Sequence, residues 1–170
     1  MRAPMLRLLL IALPLLGLLA ACHGQRPAAG DGPVRDPRFG SPVDSLFFSL
    51  ERTPCLGTCP AYRIRVYATG RATYEGISHV ERKGLHRATL DRGVLEALLR
   101  EAEAIGFFDL QDSYDRPVTD IPSTRLRMVS GTRDKSILAR TGVPPALKAF
   151  ALKADSLLLP AAWTPVPPAQ

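Results

Sequence analysis

Two cysteines four positions apart are the residues of this chain best suited to chemistry. They lie in Thr53-Pro54-Cys55-Leu56-Gly57-Thr58-Cys59-Pro60. A thiol pair has three outlets: a disulfide, thiol–disulfide exchange or metal ligation. Gly57 permits the tight backbone of a small ring, and Pro54 and Pro60 stiffen its flanks. On the chain-entropy model such a ring stabilises by about 2 kcal/mol. Exchange enzymes favour C-x-x-C at a helix N-terminus, where the thiol pKa falls; this pair lies between two strand-like runs. A tetrahedral metal site needs two more ligands, and neither a second Cys pair nor a close His pair accompanies it. A structural staple is the leading reading. Redox exchange or metal handling through Cys55 and Cys59 is the alternative.

His79, Glu81 and His86 form a second set. If a hairpin turns at Lys83-Gly84, Glu81 pairs with His86 and His79 lies diagonal at roughly 7–8 Å. That arrangement suits a metal or a mobile proton, and equally a solvated hairpin face. Asp109, Asp112, Asp115 and Asp120 crowd one loop with Tyr114 and Thr119. Their spacing is not that of an EF-hand, and Asp and Thr in loops bond nearby backbone N–H groups. Thr119-Asp120 therefore reads as turn or cap chemistry, with a ligand site as the alternative. A hydrolase using Asp120, Tyr114 or His79 is a third reading and requires a cleft that joins them. No Ser-His-Asp set, Gly-rich phosphate loop or pair of catalytic carboxylates is legible. The expectation is a non-enzymatic protein with no cofactor and no metal.

The N-terminus indicates location. Arg2 and Arg7 precede an apolar run from Leu8 to Leu19, broken only by Pro14 and Gly17, and then Leu19-Ala20-Ala21-Cys22. This is the plan of a signal peptide. The run is too short to cross a bilayer comfortably, which takes ~20 apolar residues. Small residues before a cysteine resemble the bacterial lipobox. The resemblance implies cleavage after residue 21, acylation of Cys22 and three acyl chains, enough for stable attachment to a lipid bilayer. His23 replaces the aspartate that retains such proteins on the inner membrane, so an outer-membrane anchor facing the periplasm is expected. Of three cysteines, lipid takes one. The remaining pair sits in an oxidising compartment, where a disulfide is the default.

The formal charge of +6 falls to +4 once Arg2 and Arg7 are removed. That balance permits acidic partners, such as lipid headgroups, lipopolysaccharide phosphates, anionic glycans or an envelope protein. Nucleic acid is not expected, because the basic cluster Arg82, Lys83, Arg87 carries no interleaved aromatics.

Four segments follow: a signal peptide at 1–21, a lipidated N-terminus and flexible tether at 22–44, one domain at 45–159, and a loose Pro-rich tail at 160–170 in which Trp163 is placed to dock. Within the domain, Ser45–Glu51, Ala61–Tyr67 and Ala72–Ile77 alternate as strands. His79–Glu81 and His86–Thr89 read as a further hairpin. Asp91–Ile105 reads as a helix with Asp91 as N-cap, a Leu90/Leu95 staple and Gly106 as its αL stop. Asp109–Ser123 is a polar loop. Arg125–Val129 and Ser136–Arg140 form a last hairpin about Gly131-Thr132. Pro144 and Pro145 open a second helix with Leu147, Phe150, Ala151, Ala154 and Leu157 on its buried stripe. The order ββββ-α-ββ-α implies an α+β domain: a mainly antiparallel sheet of hairpins, helices over one face, and Arg63, Arg65, Arg125 and Arg127 on the other.

Thr53-Pro54-Cys55-Leu56-Gly57-Thr58-Cys59-Pro60-Ala61-Tyr62 resembles the signature of a bacterial family of unknown function, numbered 6438 among such domains. The likeness continues through Tyr67, Gly70, Tyr74-Glu75-Gly76, Gly106-Phe107-Phe108, Tyr114, Thr119-Asp120, Pro122-Ser123-Thr124 and Pro144, and runs from about Leu46 to Leu158. Pro122-Ser123-Thr124 departs from the expected Pro-Thr-Thr. The resemblance implies secreted or lipid-anchored relatives and no established activity.

Overall fold

The computed structural model describes residues 45–116, 118 and 120–167. The leader, Cys22 and its tether lie outside the described residues, as do Thr119, residue 117 and residues 168–170. The domain is α+β, with eight strands, mostly antiparallel, and two α-helices. In chain order these are β1 (Leu46–Arg52), β2 (Ala61–Tyr67), β3 (Arg71–Ser78), β4 (Gly84–Thr89), α1 (Arg92–Ala104), a 3-10 turn (Phe107–Asp109), β5 (Ser113–Tyr114), β6 (Thr124–Ser130), β7 (Arg133–Ala139), α2 (Pro145–Leu158) and β8 (Thr164–Pro165). The sheet runs β5-β7-β6-β1-β2-β3-β4-β8. Among the described residues, only β5 and β7 pair in parallel.

Alternation along each strand sorts the side chains between faces. One cross-strand row, read through the register, is Ile137, Leu126, Leu50, Ile64, Tyr74 and His86. All six are buried. The next positions along, Ser136, Arg127, Ser49, Arg65, Thr73 and Arg87, fall on the opposite face. All of this row but His86 joins one hydrophobic cluster with Leu95, Leu98, Leu99 and Ala102 of α1 and Leu147, Phe150, Ala151, Ala154 and Leu158 of α2. Phe150 meets Phe48 at 6.0 Å and Phe107 at 5.6 Å between ring centroids, which ties α2 to β1 and to the 3-10 turn.

Several local expectations need correction. The Asp91 side chain makes no cap bond; Asp91 accepts through its carbonyl from the Val94 N–H at 2.9 Å. Leu158 is fully buried, whereas the expected Leu157 is only half-buried. His79–Glu81 is not a strand. β3 runs on to Ser78, Gly76 pairs with Gly84, and residues 79–83 form the turn. That turn folds back onto its own strand: a Cβ at Gly76 would lie 1.8 Å from the Arg82 carbonyl oxygen, so only glycine fits. The 109–123 loop contains β5, which extends one sheet edge. The tail adds the other edge, with Arg87 opposite Thr164 and the Val166 N–H bonded to the Leu85 carbonyl at 2.8 Å.

Candidate functional site

Cys55 and Cys59 are joined by a disulfide, with their Cα atoms 5.7 Å apart. Both are half-buried, while residues 56–58 are exposed and Leu56 projects at 84 % exposure. The Gly57 N–H points back at the Cys55 sulfur, 3.3 Å away.

Below this ring lies a cavity of about 330 Å³. Its walls come from elements the sheet register brings together: Arg52 at the end of β1 is the Cα partner of both Tyr62 on β2 and Thr124 on β6. Asp155 reaches in from α2. The Arg52 guanidinium donates to one Asp155 oxygen at 2.5 Å and to Thr124 Oγ1 at 2.8 Å, and the Tyr62 hydroxyl donates to the other Asp155 oxygen at 2.6 Å. Burial, then the bond to Asp155, pushes the Tyr62 phenol well above its ordinary range. Burial disfavours the charged Arg52, but attraction and hydrogen bonding to Asp155 outweigh it and raise its pKa. Beside them, Thr53 donates its N–H to the Ser123 carbonyl at 3.0 Å, and the Ser123 N–H returns to Thr53 Oγ1 at 2.7 Å. The polar groups here satisfy one another, an arrangement that shapes a pocket and holds it rigid.

The aromatic neighbours extend inward. Tyr62 stacks on Tyr74 at 5.7 Å, and Tyr74 meets His86 edge-on at 5.9 Å and Trp163 at 5.6 Å. Trp163 also donates Nε1–H to the Leu158 carbonyl at 3.1 Å.

The other residues singled out from the sequence are dispersed. His79 and Glu81 are exposed in the β3–β4 turn, where His79 takes φ 52°. His86 points the other way: it is buried against Tyr74, with Nδ1 3.2 Å from the Gly84 carbonyl. The expected His79/Glu81/His86 cluster therefore does not assemble, because the true register places His86 on the inner face. Tyr114 lies on β5 and accepts a hydrogen bond from the Gln111 N–H at 3.2 Å. Asp120 is exposed at φ 65°. β5 and β4 stand six strand spacings apart, roughly 29 Å, so no single cleft spans Tyr114 and His86. Among the described residues, no three His, Cys, Asp or Glu side chains converge as metal ligands.

The second notable surface is the opposite face of the sheet. Arg63 bridges Glu51 and Glu75 at 2.9 Å each, and Arg127 forms two bonds to Asp134. The bond from Arg127 holds the Asp134 carboxyl below its usual range. Arg65 and Arg125 stand exposed beside these pairs, their side chains with no hydrogen-bond or ion-pair partner among the described residues. The four arginines rim a depression of about 170 Å³ with Ser49, Ser136 and the Arg63-paired Glu51.

A family model for a domain of unknown function, DUF6438, matches residues 46–158. The chain belongs to that family. The DUF6438 match opens on the first residue of β1 and closes on the last of α2, so the disulfide ring and every wall of its cavity fall inside it. Trp163 and β8 come after it. No curated protein matches the chain.

No local pattern in the sequence marks Arg52, Tyr62 and Asp155 as a set. They are separated by up to 103 positions, and only the periodic inward placement of Tyr62 hinted at one of them.

Proposed function

We propose that this chain is a lipoprotein of the bacterial cell envelope, held on the outer membrane through acylated Cys22, whose DUF6438 domain binds an anionic partner without catalysing a reaction. The observation that carries the binding role is the exposed sheet face, where Arg65 and Arg125 are unpartnered among the described residues. Both helices lie over the apolar face in this reading, so the arginine face is free to dock. Unneutralised guanidinium groups on a sheet attract anions and form bidentate bonds to carboxylate or phosphate. The most reactive-looking groups, Arg52, Tyr62 and Asp155, are engaged with one another. The leader motif before Cys22 supports the anchor.

Two measurements test this. Cells fed labelled palmitate should acylate the chain, and Cys22→Ser should abolish the label; retained label would remove the anchor. The full chain, purified in detergent, should bind immobilised polyglutamate at low salt and release as salt rises, because exposed charges are screened over about 10 Å at 0.1 M. Arg65→Glu with Arg125→Glu should abolish that binding; unchanged binding would overturn the role of this face.

A redox role retains one point in its favour, since Cys55 and Cys59 remain partly accessible in an exposed ring. A redox titration separates the two. A potential below about −300 mV marks a structural staple, and a value near those of oxidoreductases makes the pair an active site.

A further inference from the structure

Next to the arginine depression, on the same face, is a larger groove of about 630 Å³. Its size is that of a small-molecule site. Arg71, Thr73, Arg87 and Thr89 line it from β3 and β4, Tyr67 closes one end, and Thr164 of β8 forms the far wall. Among the described residues, no Asp or Glu lines it. The wall depends on the tail being fixed: Trp163 is held by the Leu158 carbonyl and the Tyr74 ring, and the Val166 N–H by the Leu85 carbonyl. The groove is therefore built partly from residues beyond the DUF6438 match.

The register continues the groove floor into a row across the sheet. Across the strands run Arg127, Ser49, Arg65, Thr73, Arg87 and Thr164, each the Cα partner of the next; the last three line the groove and the first three the neighbouring depression. Arg65 and Arg87 thus stand two strands, roughly 10 Å, apart with the Thr73 hydroxyl between them, whereas Arg127 is held by Asp134. Spaced cations favour an extended chain of anionic groups over a single ion. Hydroxyls that both donate and accept suit a partner rich in hydroxyls, whereas an acidic peptide presents carboxylates that only accept. A tyrosine ring and apolar patches such as Leu85 and Val166 complement the C–H faces of sugar rings. A planar bilayer surface does not fill a concave groove.

We propose that this groove seats an acidic oligosaccharide, with Arg87 taking a carboxylate or phosphate group and Thr73, Thr89 and Thr164 its hydroxyls. The assignment rests on the anionic-partner reading above and specifies its ligand.

The test is a calorimetric titration of the full chain in detergent with trigalacturonate, a phosphorylated maltotriose and neutral maltotriose. Polyglutamate and vesicles of anionic phospholipid serve as non-sugar probes. At least one acidic sugar should bind more tightly than the neutral one. Arg87→Gln, at an exposed position, should weaken that binding about tenfold, the loss expected for a charged hydrogen bond. Thr73→Val should weaken it a few-fold, and Arg125→Gln, outside the groove, should do less than Arg87→Gln. If both acidic sugars fail while polyglutamate or vesicles bind, the groove assignment falls and the anionic face stands. Equal losses from Arg87→Gln and Arg125→Gln would also overturn the groove, leaving only diffuse attraction. If no anionic probe binds at low salt, both readings fall.

Discussion

Asp155 holds two donors at once, Arg52 on one oxygen and Tyr62 on the other. Removing it leaves a guanidinium with little solvent to compensate, since the Arg52 and Asp155 side chains are only 23 % and 16 % exposed. Asp155→Ala should therefore cost about 2 kcal/mol in urea denaturation, less than a fully buried pair because both groups keep some water. Tyr62→Phe, which removes one hydrogen bond to a charged acceptor, should cost about 1.5 kcal/mol. Losses within error for both would show that the network has no stabilising role. The same tyrosine sets an alkaline limit. Folding keeps its phenol protonated beyond the ordinary value of 10.0. That contribution is complete below the unfolded pKa and is lost as pH rises through the folded one. Stability measured at stepped pH above 10 should fall, and fall less steeply in Tyr62→Phe. Tyr74, also raised by burial, adds to the slope in both proteins. An equal slope in both proteins would exclude Tyr62 as the source.

At the scale of elements, two links decide local order. The disulfide closes the β1–β2 connection, and replacing both cysteines with serine should lower stability by about 2 kcal/mol on the chain-entropy model. A loss well above that would mean the ring also organises the cavity beneath it. The β3–β4 turn is fixed by contact between Gly76 and Arg82. Gly76→Ala should destabilise by more than the disulfide variant, because backbone must move to admit the methyl group. Retention of wild-type denaturation would show that the turn relaxes freely. β8 can be followed directly, since Trp163 is the single tryptophan. Val166→Pro removes the N–H that bonds to Leu85. It should shift Trp163 emission to the red before global unfolding; an unshifted spectrum would mean that the Trp163 contacts hold the tail without β8.

At the scale of the molecule, the sheet separates two kinds of chemistry. Its buried face carries a hydrophobic cluster shared with both helices, and its other face carries arginines and hydroxyls. This division follows from strand alternation, where a shift of one residue would exchange the faces. The arginine face is also where the tail strand adds its wall. Binding there should depend on salt and on an intact tail together. Val166→Pro should weaken an acidic sugar while leaving polyglutamate binding to Arg65 and Arg125 unchanged. Equal weakening of both would mean that the two surfaces act as one.

The sequence alone determined the class of fold, the family and the nature of each face. Period-two runs such as Tyr62-Arg63-Ile64-Arg65-Val66 state which side chains face inward, and Asp91 to Gly106 shows a helix between its stop signals. The Cys-x-Gly-x-Cys-Pro ring was legible because it is local. Pairings across long separations were decided only by tertiary structure. His79, Glu81 and His86 looked like a cluster because their hairpin was placed wrongly, and a small register error reverses a side chain's face. The strands at Ser113–Tyr114 and Thr164–Pro165 are two residues each, too short to show a period, and they form only because a neighbouring strand offers an open edge. Arg52, Tyr62 and Asp155, like Arg87 and Thr164, meet through the register of a finished sheet. No local pattern encodes that meeting, because the energy that fixes it comes from burying the whole core.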